Sequence, residues 1–557
     1  MSTSPKPSLG IGGFVSARWQ KLGQQLFLHH TMWASLVSLA LLPTAFSAQV
    51  VFNLDIVNAN LAPDGFTRPT VVPNGTFPGP TFKLTKGDSV VIHTHNKLTD
   101  PNMRRSTSIH WHGFFQARTS GMDGPSFVNQ CPIAPSSTFD YVFDTAGQQV
   151  AFKTGNYWYH SHLSTQYCDG LRGAFVVYDP ADPLAHLYDV DDDSTIITLA
   201  EWYHVLAPAG QDSFFKTGIV PVQDSGLING KGRYAGGPLV PYAVISVKKG
   251  LRYRFRVFSL SCRPFMTLSF DNHTFDVIEL DGVEHDPVPF QNADVYAAQR
   301  ISIVLNANQT VGNYWIRAPP VGGSPLNNPN FQPNLTLAIL RYVGAPAVEP
   351  TTVNVPGAKM DDSLMHPIAS EGPGKLGSGP PDFAMVLNIA QPNAPFFDIN
   401  GISYQSPSLP VLLQLLSGAS KPTDFLPSEQ LILLPPNKII DITIPGNGSH
   451  PFHLHGHNFD VIVESTPNAP SATPNYVNPP RRDVVPINGG NTTFRFFSGN
   501  PGAWFLHCHI DWHLEAGLAV VFGESPSANI AGPQSQIVQP DWSALCPAYD
   551  KLAPEFQ

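Results

Sequence analysis

Six His-x-His triplets occur in the 557 residues of this chain: His93/His95, His110/His112, His160/His162, His453/His455, His455/His457 and His507/His509. Its twenty histidines scattered at random would produce roughly 0.7 such triplets, so the excess carries structural information and about one pair is expected to be accidental. Residues i and i+2 of a β-strand point to the same face about 7 Å apart. Each pair can therefore present two imidazoles to one place. Four pairs on different strands would converge eight imidazoles, a donor set suited to three coppers bound through nitrogen.

That geometry needs strands, and the composition agrees. Charged residues make up only 13% of the chain, hydrophobic residues 42%, and there are 55 prolines and 45 glycines, which reads as all-β with many turns. Short β-branched and apolar runs recur between turn signals at Ser89 to Ile92, Gly173 to Tyr178, Tyr253 to Phe258, Ile301 to Leu305 and Lys438 to Ile444. Long helical periodicity is scarce, which favours sandwiches or Greek-key barrels. The length calls for two to four domains. Breaks at Asp179 to Ser194, with its acidic cluster, and at Ala345 to Asp382 divide the chain into three β domains: 49–181, 182–350 and 351–557.

Residues 1–48 are expected to be a signal peptide with an upstream extension before Met32. Trp33 to Leu42 is a short apolar run, and Ala45-Phe46-Ser47-Ala48 offers small residues for cleavage. About ten apolar residues fall short of the ~20 needed to span a bilayer, so a secreted, extracellular protein without a membrane anchor is expected. Six sequons, at Asn74, Asn272, Asn308, Asn334, Asn447 and Asn491, are compatible with a secreted glycoprotein. A net charge of −10 gives no basic footprint for nucleic acid.

The five cysteines are Cys131, Cys168, Cys262, Cys508 and Cys546. An odd count in an exported chain implies two disulfides and one thiol with another task. Cys508 is the candidate, because His507 and His509 bracket it and its side chain must point away from theirs. A separate copper on that far side would be held by the thiolate and two further imidazoles, with His450 and His513 the remaining candidates.

At His110-Trp111-His112-Gly113, His160-Ser161-His162-Leu163, His450-Pro451-Phe452-His453-Leu454-His455-Gly456-His457 and His507-Cys508-His509-Ile510-Asp511-Trp512-His513-Leu514-Glu515, the chain resembles the laccase branch of the multicopper oxidases. The resemblance covers nearly everything after the signal. It implies three cupredoxin-like domains and four coppers: type 1 on His450, Cys508 and His513, type 2 on His110 and His453, and a type 3 pair on His112, His160, His509 and on His162, His455, His507. It also implies disulfides Cys131–Cys546 and Cys168–Cys262, and a proton-handling carboxylate at Asp123, for which turn capping is the plainer alternative. Leu518 falls at the axial position beside type 1 copper, where it would not coordinate.

The implied reaction is one-electron oxidation of phenols and similar aromatic donors at His513, coupled to four-electron reduction of dioxygen to water by a monomer, with lignin-type phenols among the donors. The alternatives are a ferroxidase-like or ascorbate oxidase-like relative, or a non-catalytic copper-binding protein. Arg263, with Phe265 two residues on, stands where many relatives place an acidic residue in the substrate pocket; a plain surface arginine is the alternative. His93 and His95 match no ligand position and are expected to be the accidental pair. His457 is expected to be structural.

Overall fold

The computed structural model describes residues 48–145, 154–368, 376–446, 448–466 and 472–553. The apolar run and cleavage residues before Ala48, and Asn447, lie outside them. The five runs expected to be extended lie in the strands Ser89–Asn96, Arg172–Tyr178, Arg252–Ser259, Arg300–Asn306 and Ile439–Gly446, except that Lys438 falls one residue before the last of them. Helices are few and short, the longest described being Ala207–Thr217. None of the described helices is long and apolar enough to cross a membrane.

Among the described residues the strands form three successive pairs of sheets, with Ile389–Asn393 and Phe396–Ile399 making a further two-stranded sheet. The first pair has two four-stranded sheets, one of them ordered Gly79–Thr85, Arg172–Tyr178, Gly155–Ser161 and Ile109–His112. The second pair, from Ile196–Trp202 to Leu337–Tyr342, contains Arg300–Asn306 near the middle of one sheet. The third has a five-stranded sheet ordered Leu431–Leu434, Ala519–Glu524, Gly502–Cys508, His450–Leu454 and Val484–Ile487. Sequence-distant neighbours pair in parallel, as Gln49–Leu61 does with Ser89–Asn96 and Leu431–Leu434 with Ala519–Glu524. Such crossovers, amid otherwise antiparallel ladders, are those of Greek keys. The segments 179–194 and 345–382 contain no named strand among the described residues.

Two hydrophobic clusters run through the contacts between sandwiches. One joins Trp158 and Tyr167 of the first pair to Phe258 of the second and Phe452 and Trp504 of the third. The other joins Trp111 and Phe175 to Leu412, Phe505 and Trp542. Burial of this much aromatic surface holds the first and third sandwiches face to face. His110, His112 and His160 lie on strands of the first sandwich, and His453 and His507 on strands of the third.

Candidate metal centre

In Ile109–His112 all four residues are buried, with Ile109 and Trp111 in a hydrophobic cluster. Alternation then turns His110 and His112 to the opposite face. Antiparallel register sets His110 opposite His160 in the first sandwich and His453 opposite His507 in the third. The two sets meet across the interface: the rings of His112 and His453 stack at 3.7 Å, and those of His110 and His455 lie 4.0 Å apart. One detail departs from a pure strand picture. His162, His455 and His509 each lie one residue past a strand end. They stay in place through backbone bonds from the His162 N–H to Ser108 O, from His455 to Phe505 O and from His509 to Pro451 O.

Ligand-sized groups follow, within each of which the donor atoms lie within 4.8 Å of one another: His110, His112, His453; His112, His160, His509; and His162, His455, His507. His112 belongs to two groups, and its hydrogen bonds discriminate between its nitrogens. Its Nε2 lies 3.2 Å from Asp483 Oδ1, leaving Nδ1 buried and without a hydrogen-bond partner. In His110, His160 and His453 the Nδ1 is taken by the carbonyls of Asp123, Ser161 and Asp483, and Nε2 has no partner. The Nε2 atoms of His162 and His509 are likewise unpartnered, and those of His455 and His507 face each other at 3.1 Å. Buried polar atoms are almost always satisfied, so this many orphans aimed at one space fit a donor set for cations. Burial, reinforced by neighbouring imidazoles, holds His112, His160, His162, His453, His455 and His509 far below the usual histidine range, and burial brings His507 to about 3. Neutral imidazole is the form that ligates metal.

Asp123 is fully buried and its carboxyl is pushed up by burial, an effect that His110 opposes. The His455 Nδ1–H donates to its Oδ2 at 2.8 Å, while His110 Nδ1 lies 2.7 Å from its backbone oxygen and 3.3 Å from Oδ1. The shorter contact takes the His110 proton. Asp123 also ends the 3-10 turn Ser120–Met122, so it caps a turn and touches two imidazoles at once. Gly124 permits this: at φ +103° a Cβ there would meet Ile109 O at 1.9 Å. Only glycine lets the loop press so close to the histidine strand.

On the strand His450–Leu454, Phe452 is paired with Cys508 and His453 with His507, so His450 and His453 project to opposite faces. On the far face Cys508 Sγ lies 3.6 Å from His450 Nδ1 and 3.7 Å from His513 Nδ1, and those two nitrogens are 3.1 Å apart. The short helix Asp511–Glu515 brings His513 back over the thiol. Burial pushes the Cys508 thiol up and brings His450 down to about 4, while His513 is depressed by burial, by His450 and by Arg263. Without a cation the sulfur keeps its proton; a soft metal would stabilise thiolate here. Cys508 is fully buried, whereas His450 and His513 keep partly exposed edges. Leu518 is fully buried, and its backbone accepts from Cys508 N and donates to His513 O.

Arg263 is half-buried rather than a free surface arginine: Nη1 donates to Pro221 O at 2.9 Å and Gly322 O at 3.4 Å. Phe265 packs on Tyr296 at 4.5 Å and lines a cleft of about 740 Å³ with Val321, Ser449 and Asn488. Disulfides join Cys131 to Cys546 and Cys168 to Cys262, tying the first sandwich to the C-terminal helix Pro540–Tyr549 and to the second sandwich. The side chains of Asn74, Asn272, Asn308, Asn334 and Asn491 are exposed. His457 lies outside the metal groups, with Nδ1 3.0 Å from His455 O and Nε2 3.0 Å from Glu524.

His93 and His95 sit on the outer face of Ser89–Asn96, away from the other triplets, and His93 pairs with Asp140 at 2.8 Å. With that pair 37% and 42% exposed, the interaction contributes little. Replacing both histidines with Asn is therefore expected to leave copper content unchanged and turnover within about twofold of wild type. Loss of even one copper per chain, measured by elemental analysis, would assign this pair to metal.

Three contacts escaped the motif reading because no motif contains them. Tyr167 Oη lies 3.1 Å from His509 Nδ1 and donates to His509 O. Phe397 packs against His513 at 4.9 Å and His450 at 5.7 Å. Asp483 touches His112 and His453 from a strand edge; its only local signal is an acid following two arginines.

Family models described as multicopper oxidase match residues 55–182, 193–345 and 404–528. The chain is 68% identical over 506 residues to laccase-2 of Agaricus bisporus, covering 91% of this chain and 96% of that protein. It is 49% identical over 513 residues to the laccase of Phlebia radiata, covering 90% and 94%. Among solved structures, the laccase of Botrytis aclada superposes with a TM-score of 0.76 at 29% identity, covering 90% of this chain and 91% of that one. Fet3p, a multicopper oxidase that functions in iron import, superposes with a TM-score of 0.78 at 27% identity, covering 90% and 95%.

Proposed function

The chain belongs to the multicopper oxidases, and from that membership we propose how its own residues divide the work of a laccase. It is a copper-dependent oxidoreductase carrying four coppers, one type 1, one type 2 and two type 3. When bound, copper supplies the redox chemistry: single-electron uptake from phenols and related aromatic donors at one site, and four-electron reduction of dioxygen to water at the other.

His450 Nδ1, Cys508 Sγ and His513 Nδ1 would hold type 1 copper, and the unpartnered Nε2 atoms of His110 and His453 type 2. His112 Nδ1 with the Nε2 atoms of His160 and His509 would hold one type 3 copper, and the Nε2 atoms of His162, His455 and His507 the other. The observation that carries this reading is the set of buried, unpartnered imidazole nitrogens, with the other nitrogen tied down in His110, His112, His160, His453 and His509. Such partners set the tautomer and raise ligand basicity. Cys508 is chain-adjacent to His507 and His509, so a few covalent bonds join the two donor sets. Asp123, between His110 and His455 with a raised pKa, is placed to hold and release protons. A cavity of about 360 Å³ lined by Arg104, Ser164 and Leu514 reaches His162 and offers dioxygen and water an approach.

Donors dock near the exposed edge of His513. Among the described residues Arg263 is the one charged side chain outside the donor set that depresses His513, and ferrous iron would call for acids there. A laccase reading is therefore favoured over the ferroxidase one. Domain limits at 49–181, 182–350 and 351–557, secretion after removal of residues 1–48, glycosylation at the sequons and a monomeric state belong to the same proposal. Dioxygen uptake with a phenol, ferrous iron and ascorbate side by side tests it. The phenol should be preferred, and a preference for ferrous iron would replace the reading.

Arg263 also bears on donor choice. A guanidinium cannot accept the phenol proton but attracts anions. Arg263→Asp is expected to raise kcat/KM for a phenol at mildly acidic pH and lower it for a sulfonated non-phenolic donor, each about tenfold, or ~1.4 kcal/mol in transition-state terms. Equal responses of the two donors across pH would put Arg263 outside the pocket.

A further inference from the structure

The second sandwich supplies no imidazole to the copper sets, yet one of its side chains reaches them. Arg300 begins the strand Arg300–Asn306 and is fully buried. Its Nη1 and Nη2 donate to the two carboxylate oxygens of Asp483 at 2.6 and 2.7 Å, a two-pronged fork. The rest of the guanidinium is fixed as well: Nε donates to Asn156 O at 3.0 Å and Nη1 also to Ala298 O at 3.1 Å. Beyond the fork, Asp483 Oδ1 faces His112 Nε2 at 3.2 Å, and its backbone oxygen accepts from His453 Nδ1 at 2.9 Å. One residue thus touches an imidazole from each side of the interface.

Space for the fork is built into the histidine motif. Gly113, closing His110-Trp111-His112-Gly113, has φ +96°, and a Cβ there would lie 2.6 Å from Arg300 Nη2 and 3.2 Å from Asp483 Oδ2. Asp281, also of the second sandwich, anchors the neighbouring backbone by accepting from the N–H groups of Asp483 and Val484 at 3.3 and 3.2 Å.

We propose that Arg300 is a positioning residue of the trinuclear copper site: by clamping Asp483 at both oxygens it aims that carboxylate at the His112 Nε2–H and so fixes the tautomer that presents Nδ1 to metal. The proposal rests on the reading of His112 as a ligand. Planar two-point recognition is what arginine supplies and lysine does not. Outer partners that orient a ligating imidazole typically change metal affinity 10- to 100-fold when lost. The second sandwich is thereby coupled to a metal site in which it owns no ligand.

The test compares wild type, Arg300→Lys, Arg300→Met and His112→Ala as purified holoproteins, read by copper retained during dialysis against graded chelator, by the electron paramagnetic resonance signal of type 2 copper and by the blue absorption of type 1. Both Arg300 variants should keep the blue band. Arg300→Met should release trinuclear copper at about 10- to 100-fold lower chelator concentration with altered type 2 hyperfine splitting. Arg300→Lys, which keeps charge but not the fork, should fall between. Wild-type retention and splitting in both variants would overturn the proposal, as would loss of the blue band in step with trinuclear copper in Arg300→Lys, which marks general destabilisation. Should His112→Ala retain full copper and turnover, the ligand reading of His112 is what fails.

Discussion

Cys508→Ser removes the intense blue colour and lowers turnover with any reducing donor by at least about 1000-fold, some 4 kcal/mol in activation free energy. Thiolate-to-copper charge transfer is the source of such a colour, and a serine hydroxyl neither ionises in this pocket nor binds copper softly. The neighbours make the substitution clean. Cys508 Sγ has His450 and His513 around it, and serine is smaller, so the fold is kept. His507 and His509 project to the other face, and copper content should fall from four to about three per chain rather than to zero. Absorption spectroscopy and elemental analysis on one sample check both statements. A wild-type protein that is fully metallated and colourless would remove Cys508 from the metal site.

His455→Ala is expected to do the converse: blue colour retained, dioxygen consumption lost by at least about 1000-fold. His455 Nε2 faces His507 Nε2 at 3.1 Å while its Nδ1–H is held by Asp123. Alanine therefore deletes a ligand and leaves the buried Asp123 carboxylate without the imidazole N–H that donates to it. His110→Ala should act in the same direction. Stopped-flow mixing with a reductant and then dioxygen separates the two halves of the reaction: the blue band should still bleach and then fail to recover. Rapid recovery would show that dioxygen is reduced without these imidazoles.

The histidine spacing was informative because strand alternation converts a two-residue interval into a shared face, whatever the rest of the fold does. That is why His110/His112 and His507/His509 could be grouped from sequence, and why Cys508 could be separated from its neighbours. The same rule treats His93/His95 identically. Spacing carries no information about which surface a strand turns inward, and here the outer face of Ser89–Asn96 looks onto Asp140 and solvent. Arg263 shows a similar limit. Its sequence position pointed to a pocket, but its hold on Pro221 O and Gly322 O depends on two loops brought together from 42 and 59 residues away.

By itself the sequence determined the all-β class, the three sandwiches and the pairing of imidazoles, because alternation, turn composition and motif spacing are local properties of a strand. For His455 and His112 the nitrogen that stays free was decided only by tertiary structure, since the deciding partners lie 332 residues away for His455 with Asp123 and 371 for His112 with Asp483. The fork of Arg300 on Asp483, 183 residues apart, belongs to the same class. Hydrogen-bond direction and the low dielectric of a closed interface exist only once the sandwiches are packed, and those two conditions hold the imidazoles neutral and aimed at one space.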